Sequence, residues 1–195
     1  MGKGEKTKQI IIDQSRKLFA EKGFDSTKTS EIAKVSGISE ATIYKYFNSK
    51  TDLLLACVTP LEEKKDEQQD YSQTPLKDLI KMMVEKIISN RTQFEILFNE
   101  ALHHPDISTQ YIERIHHQGP IEKEIEKRIQ NQEISTISNY LMFNVGLIGS
   151  LLAMMKHHEI HAPNKENFIT SSKIQEIIDF IYYGLCGGTE VRRPK

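Results

Sequence analysis

Residues 29–50 read TSEIAKVSGISEATIYKYFNSK, and this stretch decides the fold of the amino-terminal part of the chain. Its apolar periodicity predicts two short helices, 30–36 and 40–46, joined by a link of only three residues that begins with Gly37. So short a link between two helices is typical of a tight helix-turn-helix. Gly37 suits the turn because glycine readily adopts a positive φ, and Ser39 can cap the second helix.

The outer face of the second helix is rich in hydrogen-bond donors. Tyr44, Lys45 and Tyr46 supply hydroxyl and ammonium groups, which bind phosphate oxygens and base edges in the major groove of DNA. The alternative is that the aromatic side chains only pack. Phe47 is expected in the core, but two further buried aromatics would overfill so small a unit. The pattern therefore predicts a DNA-reading helix.

The segment Ile32–Lys50 resembles the helix-turn-helix of the TetR/AcrR family of bacterial and archaeal repressors. The preceding residues 18–24, LFAEKGF, are similar to the end of that family's first helix. The resemblance covers about residues 10–55 and beyond them rests only on helical content and length. It implies a three-helix DNA-binding domain in residues 1–50 and a helical effector-binding and dimerisation domain in residues 51–195.

The resemblance also implies which side chains meet DNA. Thr42, Tyr44 and Tyr46 stand where the family touches its operator, and Lys50 stands where it pins a phosphate. Glu40 can accept a hydrogen bond from cytosine N4 yet repels phosphates, so it is either a reader or a silent or excluding group. The full set expected at DNA is Lys28, Thr29, Ser30, Ser39, Glu40, Ala41, Thr42, Tyr44, Lys45, Tyr46 and Lys50.

Two features near this set leave alternatives open. Lys28 and Thr29 stand where the family often has Thr and Val. Which residue caps the helix there, and which contacts a phosphate, therefore stays open. Lys3, Lys6 and Lys8 form either a minor-groove arm or a solvated tail.

Helical periodicity continues through nearly the whole chain, with Pro and Gly at the boundaries, and no alternating strand pattern of useful length occurs. The predicted fold class is all-α. The remaining predicted helices are 7–22, 50–70, 76–89, 91–104, 107–117, 120–132, 134–158 and 168–186.

Charge and composition place this chain among cytoplasmic proteins. Of its 195 residues, 38% are hydrophobic and 27% charged, and the net charge is −1. Residues 1–56 carry a net charge of +3 and the remainder −4, which favours a polyanionic partner for the amino-terminal part. Two cysteines cannot form a disulfide framework, and single thiols suit a reducing compartment. From the charged amino terminus we expect no signal peptide.

One uncharged stretch, 134–155, is long enough to span a bilayer. Six of its residues are Ser, Thr or Asn, a heavy polar load for lipid. We therefore expect no membrane association, and a helix buried on most of its faces in a core or a dimer interface.

A dimer is expected because one short recognition helix gives little specificity, and a two-fold pair can read two half-sites. The resemblance implies that the last two long helices form a four-helix bundle across the two-fold axis. The alternative is that both helices pack within one subunit. The expected interface consists of small residues on the first helix and mainly apolar ones on the second: Gly146, Gly149, Ala153, Ile174, Ile177, Ile178, Ile181 and Leu185.

The resemblance further implies an effector pocket in the carboxy-terminal body. Met and Phe side chains adapt to varied apolar ligands, although the same pattern is equally expected of a plain core. The expected pocket residues are Met82, Met83, Phe94, Phe98, Tyr140, Met142 and Phe143.

The motifs of an all-α enzyme are missing from the sequence: it has no HExxH, no paired catalytic carboxylates and no phosphate-cradling Gly loop. His157 and His161 have the spacing of a helical metal pair, but histidines at helix ends are more often solvated, so we predict neither a metal site nor a cofactor.

The expected function is that of a ligand-responsive regulator. It would be a repressor that a small, mostly apolar effector releases from a palindromic operator. The expected partners are double-stranded operator DNA, a second copy of the chain and an unidentified effector. The alternative is a dimeric DNA-binding regulator without an effector, controlled by abundance or by a protein partner.

Overall fold

The computed structural model describes residues 2–59, 69–115, 119–134, 137, 139–161 and 170–185. These residues form helices and no strand, which confirms the predicted all-α class. In chain order the helices are α1 (Lys3–Lys22), α2 (Thr29–Val35), α3 (Glu40–Ile43), α4 (Lys50–Val58), α5 (Leu76–Ser89), α6 (Arg91–His103), α7 (Pro105–Ile115), α8 (Pro120–Gln130), α9 (Tyr140–His161) and α10 (Ser171–Leu185).

The chain packs into two compact units. The first comprises residues 1–61 and 90–115, and the second comprises residues 62–89 and 116–195. The first unit therefore contains α6 and α7 as well as α1–α4, because α6 packs on both α1 and α4. The domain boundary that the sequence suggests at residue 50 separates two predicted functions, DNA binding and effector binding with dimerisation. That boundary stays a prediction.

In the first unit α1 is the central helix. It buries residues at helical spacing along one face: Ile11, Ser15, Leu18 and Phe19. The helix begins at Lys3 rather than at residue 7, since the backbone N–H of Gly2 donates to the Glu5 carboxylate at 3.2 Å. Lys3, Lys6 and Lys8 thus belong to a helix and form neither an arm nor a tail.

The prediction of one helix over 50–70 is wrong. Helix α4 ends at Val58, and Thr59 is extended with ψ of 119°. Pro60 explains this ending, because proline disfavours helical backbone at the preceding residue. Residues 60–68 lie outside the described part of the chain, and residues 69–70 are not helical.

In the second unit α5 packs on α8, α9 and α10, and α8 also packs on α9. Arg128 on α8 is buried, pairs with Glu124 at 2.8 Å and donates to the backbone carbonyl of Thr74 at 2.7 Å. The segment before α5 is thereby fixed to α8. None of the described helices is long and apolar enough to cross a membrane.

Helix α9 also differs from its prediction, since it begins at Tyr140 rather than at residue 134. The side-chain oxygen of Asn139 accepts the N–H of Met142 at 2.9 Å and so caps the helix. One face of α9 is buried, but Leu141, Met142 and Val145 are exposed. The helix is therefore not buried on most of its faces within the chain.

Candidate nucleic-acid interface

The turn between α2 and α3 has the geometry that the sequence predicts. Gly37 has φ of 68°, in the left-handed region that favours glycine, and the N–H of Ile38 donates to the Ala33 carbonyl at 3.0 Å. Ser39 caps α3 by accepting the N–H of Thr42 at 3.2 Å. These bonds fix the direction in which α3 leaves α2.

Helix α3 is a single turn, Glu40–Ile43, rather than the predicted 40–46. After it the N–H groups of Lys45 and Tyr46 donate to carbonyls three residues back, at 3.2 and 2.9 Å, so the backbone tightens. This geometry places Phe47 in the core with Ile43, where they are 3% and 1% exposed.

The side opposite that core is open to solvent. Tyr44 is 49% exposed although it is a large aromatic, and Ala41 and Lys45 are also exposed. Thr42 and Tyr46 are half-buried. The exposed aromatic and the exposed cation supply the donors that phosphates and base edges accept.

Several predicted DNA contacts are already bonded within the protein. The hydroxyl groups of Ser39 and Thr42 lie 2.8 Å apart in a hydrogen bond, and Thr29 donates its hydroxyl to the Glu40 carboxylate. Lys28 is the N-cap residue of α2 without a side-chain cap bond, and both Lys28 and Ser30 are exposed. The structure thus gathers these six residues around the starts of α2 and α3.

Lys50 begins α4, and its Nζ lies 4.3 Å from the centroid of the Phe24 ring, a cation–π contact. Partial burial lowers the pKa of its ammonium group, while the Asp25 and Glu100 carboxylates oppose part of that shift. An aromatic face and two carboxylates therefore orient the predicted phosphate contact.

Glu100 on α6 is a residue that the sequence analysis missed. It is only 8% exposed, and its Oε1 accepts the backbone N–H of Phe24 at 2.9 Å. His104 lies nearby, with its Nε2 3.3 Å from Asp25 Oδ2 and 3.7 Å from Glu100 Oε2. The one sequence signal for its burial is that Glu100 stands at a position where the helical period of α6 otherwise places apolar residues.

The residues predicted for a dimer interface differ in their exposure. Gly146 and Ala153 are exposed, whereas Gly149, Ile174 and Ile181 are half-buried. Ile177 and Ile178 are 7% and 1% exposed, so they belong to the core of the second unit rather than to its free surface. Leu185 ends α10, and its side chain lies outside the described part of the chain.

An exposed apolar face extends along α9 and α10 beside those small residues. Phe180 is 68% exposed and Met142 is 62% exposed, and Leu141, Val145 and Tyr183 are exposed as well. A groove of about 210 Å³ separates the two helices and is lined by Ile137, Met142, Phe143, Gly146, Leu147, Ser150, Phe180, Ile181 and Gly184. Large exposed apolar patches are typical of interaction sites, and a dimer interface on this face stays a prediction.

The predicted effector-pocket residues fall in both units. Phe94 and Phe98 belong to the first unit, and Met82, Met83 and Tyr140 belong to the second. The other two, Met142 and Phe143, line the groove between α9 and α10. An effector pocket formed by these seven residues stays a prediction.

Among the described residues no group of three or more His, Cys, Asp or Glu side chains is placed to hold a metal ion. The rings of His157 and His161 lie 4.4 Å apart at the end of α9, and both residues are exposed.

Cys57 is expected to be unreactive in the folded protein. It is fully buried, donates to the Ile12 carbonyl at 3.5 Å, and burial raises the pKa of its thiol to about 12. Because the thiolate is the reactive species, we expect a thiol reagent at pH 8 to label a Cys186→Ser variant at least about a hundredfold more slowly when folded than when denatured. Equal labelling rates in the two states would contradict this assignment.

Comparison with known proteins shows which family the amino-terminal part of the chain matches. Residues 11–57 match the family described as bacterial regulatory proteins, tetR family. Over 82 residues the chain is 35% identical to YerO of Bacillus subtilis, an uncharacterized HTH-type transcriptional regulator, covering 40% of this chain and 28% of YerO. Over 46 residues it is 41% identical to the fatty acid metabolism regulator protein of the same organism, covering 24% of each.

The chain spans at most half the length of the first curated relatives that it matches. Among solved structures, the fatty acid degradation regulator FadR from Bacillus halodurans is similar with a TM-score of 0.54 at 17% identity, covering 93% of this chain and 95% of that one. At this identity the similarity shows the fold.

Proposed function

Since its amino-terminal domain makes this chain a member of the TetR family of bacterial regulatory proteins, we propose that it is a dimeric DNA-binding transcriptional regulator. The observation that carries the proposal is the exposed side of α3 and of the turn that follows it, where Tyr44 and Lys45 are exposed while Ile43 and Phe47 anchor the backbone. A rigid element that presents donors is the arrangement that reads a major groove.

The proposed DNA contacts surround that face. Tyr44, Tyr46 and Thr42 approach the bases or nearby phosphates, and Lys28, Lys45 and Lys50 approach the phosphate backbone. Ser30, Ser39 and Ala41 complete the proposed set of contacts.

The proposed dimer pairs the exposed apolar face of α9 and α10 with the same face of a second copy. The surface is self-complementary in character, since the exposed Phe180 and Met142 flank an apolar groove and small residues such as Gly146 and Ala153 permit close approach. Such a dimer carries two copies of α3 and can therefore read the two half-sites of a palindromic operator.

The proposed regulation is repression relieved by a small, mostly apolar effector. Two of the similar proteins are named for fatty acid metabolism or degradation, and this supports an apolar effector class. An effector that separates the two copies of α3 must bind the free protein more tightly than the DNA-bound protein, because the coupling is reciprocal. The alternative is a dimer without an effector. Its binding to DNA would be controlled by the abundance of the protein itself or by a protein partner.

Direct titration of double-stranded DNA with the purified protein tests the proposed function. We expect the logarithm of the association constant to fall linearly with the logarithm of the salt concentration, as it does when lysines displace counterions from phosphates. If the protein did not bind DNA even at low salt, the proposal would be contradicted.

Glu100 offers a route by which a movement of α6 reaches the DNA contacts, since it is bonded to Phe24 and lies near Lys50. We expect Glu100→Ala to weaken operator binding roughly tenfold, because an unsatisfied backbone donor costs about 1–3 kcal/mol and the loop that orients Lys50 loses its anchor. The slope of affinity against salt should also decrease, as expected when the phosphate contact of Lys50 is lost.

Glu95→Ala is the matched control, since Glu95 lies on the same helix and pairs with Arg91 at 2.7 Å on its own helix. The control is expected to bind DNA as the wild type does. Unchanged affinity and salt slope in Glu100→Ala would contradict the proposed route.

A further inference from the structure

We propose that Glu40 determines operator specificity by accepting a hydrogen bond from an exocyclic amino group in the major groove, and that Thr29 is the positioning residue that holds the Glu40 carboxylate. This inference rests on the proposed function, since it requires α3 to meet DNA. It assigns Thr29 a role inside the protein instead of a contact with a phosphate.

The bond between these residues crosses the helix-turn-helix. Thr29 is the first residue of α2 and Glu40 is the first residue of α3, and the Thr29 hydroxyl donates to Glu40 Oε1. A hydroxyl has a single proton to donate, so the Thr29 proton is not available to a phosphate oxygen while this bond is present. The bond also restricts the rotamers of an otherwise exposed carboxylate.

The second oxygen of Glu40 is left to face solvent. Within the described residues no side chain is bonded to Glu40 Oε2, and Glu40 is exposed. An ionised carboxylate only accepts hydrogen bonds. In the major groove the groups that donate are the amino groups at cytosine N4 and adenine N6.

The same carboxylate disfavours the other bases. Guanine O6 and N7 and thymine O4 are acceptors, so they meet Glu40 with unfavourable electrostatics and no bridging proton. Phosphates are repelled for the same reason, and the exposed Lys28 and Lys45 are the cations placed to contact them. Glu40 therefore contributes discrimination, whereas the lysines contribute affinity.

Neighbouring groups do not compete for the carboxylate. Ser39 accepts the N–H of Thr42, and the hydroxyls of these two residues are bonded to each other. Among the side chains that the structure describes, Thr29 alone is bonded to Glu40, and removing its hydroxyl frees the carboxylate without breaking the cap of α3.

Selection from a random double-stranded DNA pool tests the inference with four proteins: the wild type, Glu40→Gln, Thr29→Val and Glu31→Gln. For the wild type we expect one position in each half-site to select cytosine or adenine, and the base selected tells which amino group is bound. Thr29→Val should reduce the preference at that position by about tenfold or more, with the rest of the palindrome retained. Glu40→Gln should do the same where cytosine is selected, and where adenine is selected it should strengthen the adenine preference, because a glutamine amide pairs with both N6 and N7 of adenine.

Glu31→Gln removes one carboxylate from the same unit, but Glu31 is paired with Lys22 and lies on α2. It is expected to keep the wild-type preference at every position, which separates local reading by Glu40 from a general effect of charge. Thr29→Val should bind the best wild-type site within about threefold of the wild type, since no phosphate contact is lost.

Three results would overturn the inference. The first is an unchanged base preference in Glu40→Gln and Thr29→Val. The second is a uniform loss of affinity on all sequences in Thr29→Val together with a smaller salt slope, which would identify Thr29 as a phosphate contact. The third is a wild type that enriches no site, and this result would overturn the proposed function as well.

Discussion

Tyr44→Ala is expected to weaken binding to the selected operator by about 1–3 kcal/mol at each half-site, or roughly ten- to a hundredfold per subunit. Tyr44 is the most exposed of the described aromatic side chains near α3, and it is not among the described residues of the core. Its removal should therefore leave the fold and the dimer intact, and titration of operator DNA at fixed salt measures the effect.

Two variants define what Tyr44 contributes. Tyr44→Phe keeps the ring and removes the hydroxyl, so it separates a hydrogen bond from an apolar contact with DNA. Val35→Ala trims another exposed side chain, 48% exposed at the end of α2, and is expected to bind as the wild type does. An affinity of Tyr44→Ala equal to that of the wild type would contradict the placement of α3 on DNA.

Phe180→Glu is expected to convert the dimer to a monomer. Phe180 is 68% exposed beside the groove between α9 and α10, and an isologous interface contains it twice. Two buried charges without partners should raise the dimer dissociation constant by at least about a hundredfold, since aromatic residues dominate such interfaces. Sedimentation velocity across a concentration series measures the change, and operator affinity should fall with it.

Leu102→Glu is the matched control for this variant. Leu102 is 69% exposed, so the two substitutions add the same charge at equal exposure, but Leu102 lies on α6 in the first unit. We expect Leu102→Glu to remain dimeric. A dimeric Phe180→Glu, or a monomeric Leu102→Glu, would contradict the interface proposed on α9 and α10.

The helix-turn-helix was predictable because its determinants are local. The left-handed Gly37 and the Ser39 cap act within a few residues of their partners, so the sequence contains the whole argument. The burial of Phe47 also followed from the sequence. The length of α3 did not, since the tightened turn after Ile43 depends on where Phe47 enters the core.

Features that depend on distant contacts were not predictable. Glu100 and Phe24 are 76 residues apart in sequence, and nothing local pairs them. On α10 the helical period gave an apolar stripe that contains Ile177 and Ile178, but it did not show that these two residues are buried within the chain while Phe180 is exposed. That distinction follows from how α10 packs against α5.

The central claim is that two copies of this chain read a palindromic DNA site through α3. Selection of double-stranded DNA from a random pool by the wild-type protein, followed by sequencing of the bound fraction, tests it most directly. We predict a single enriched motif with two-fold symmetry, which Tyr44→Ala fails to enrich to the same extent. An enriched motif without symmetry, or no motif above the salt-sensitive background, would contradict the claim.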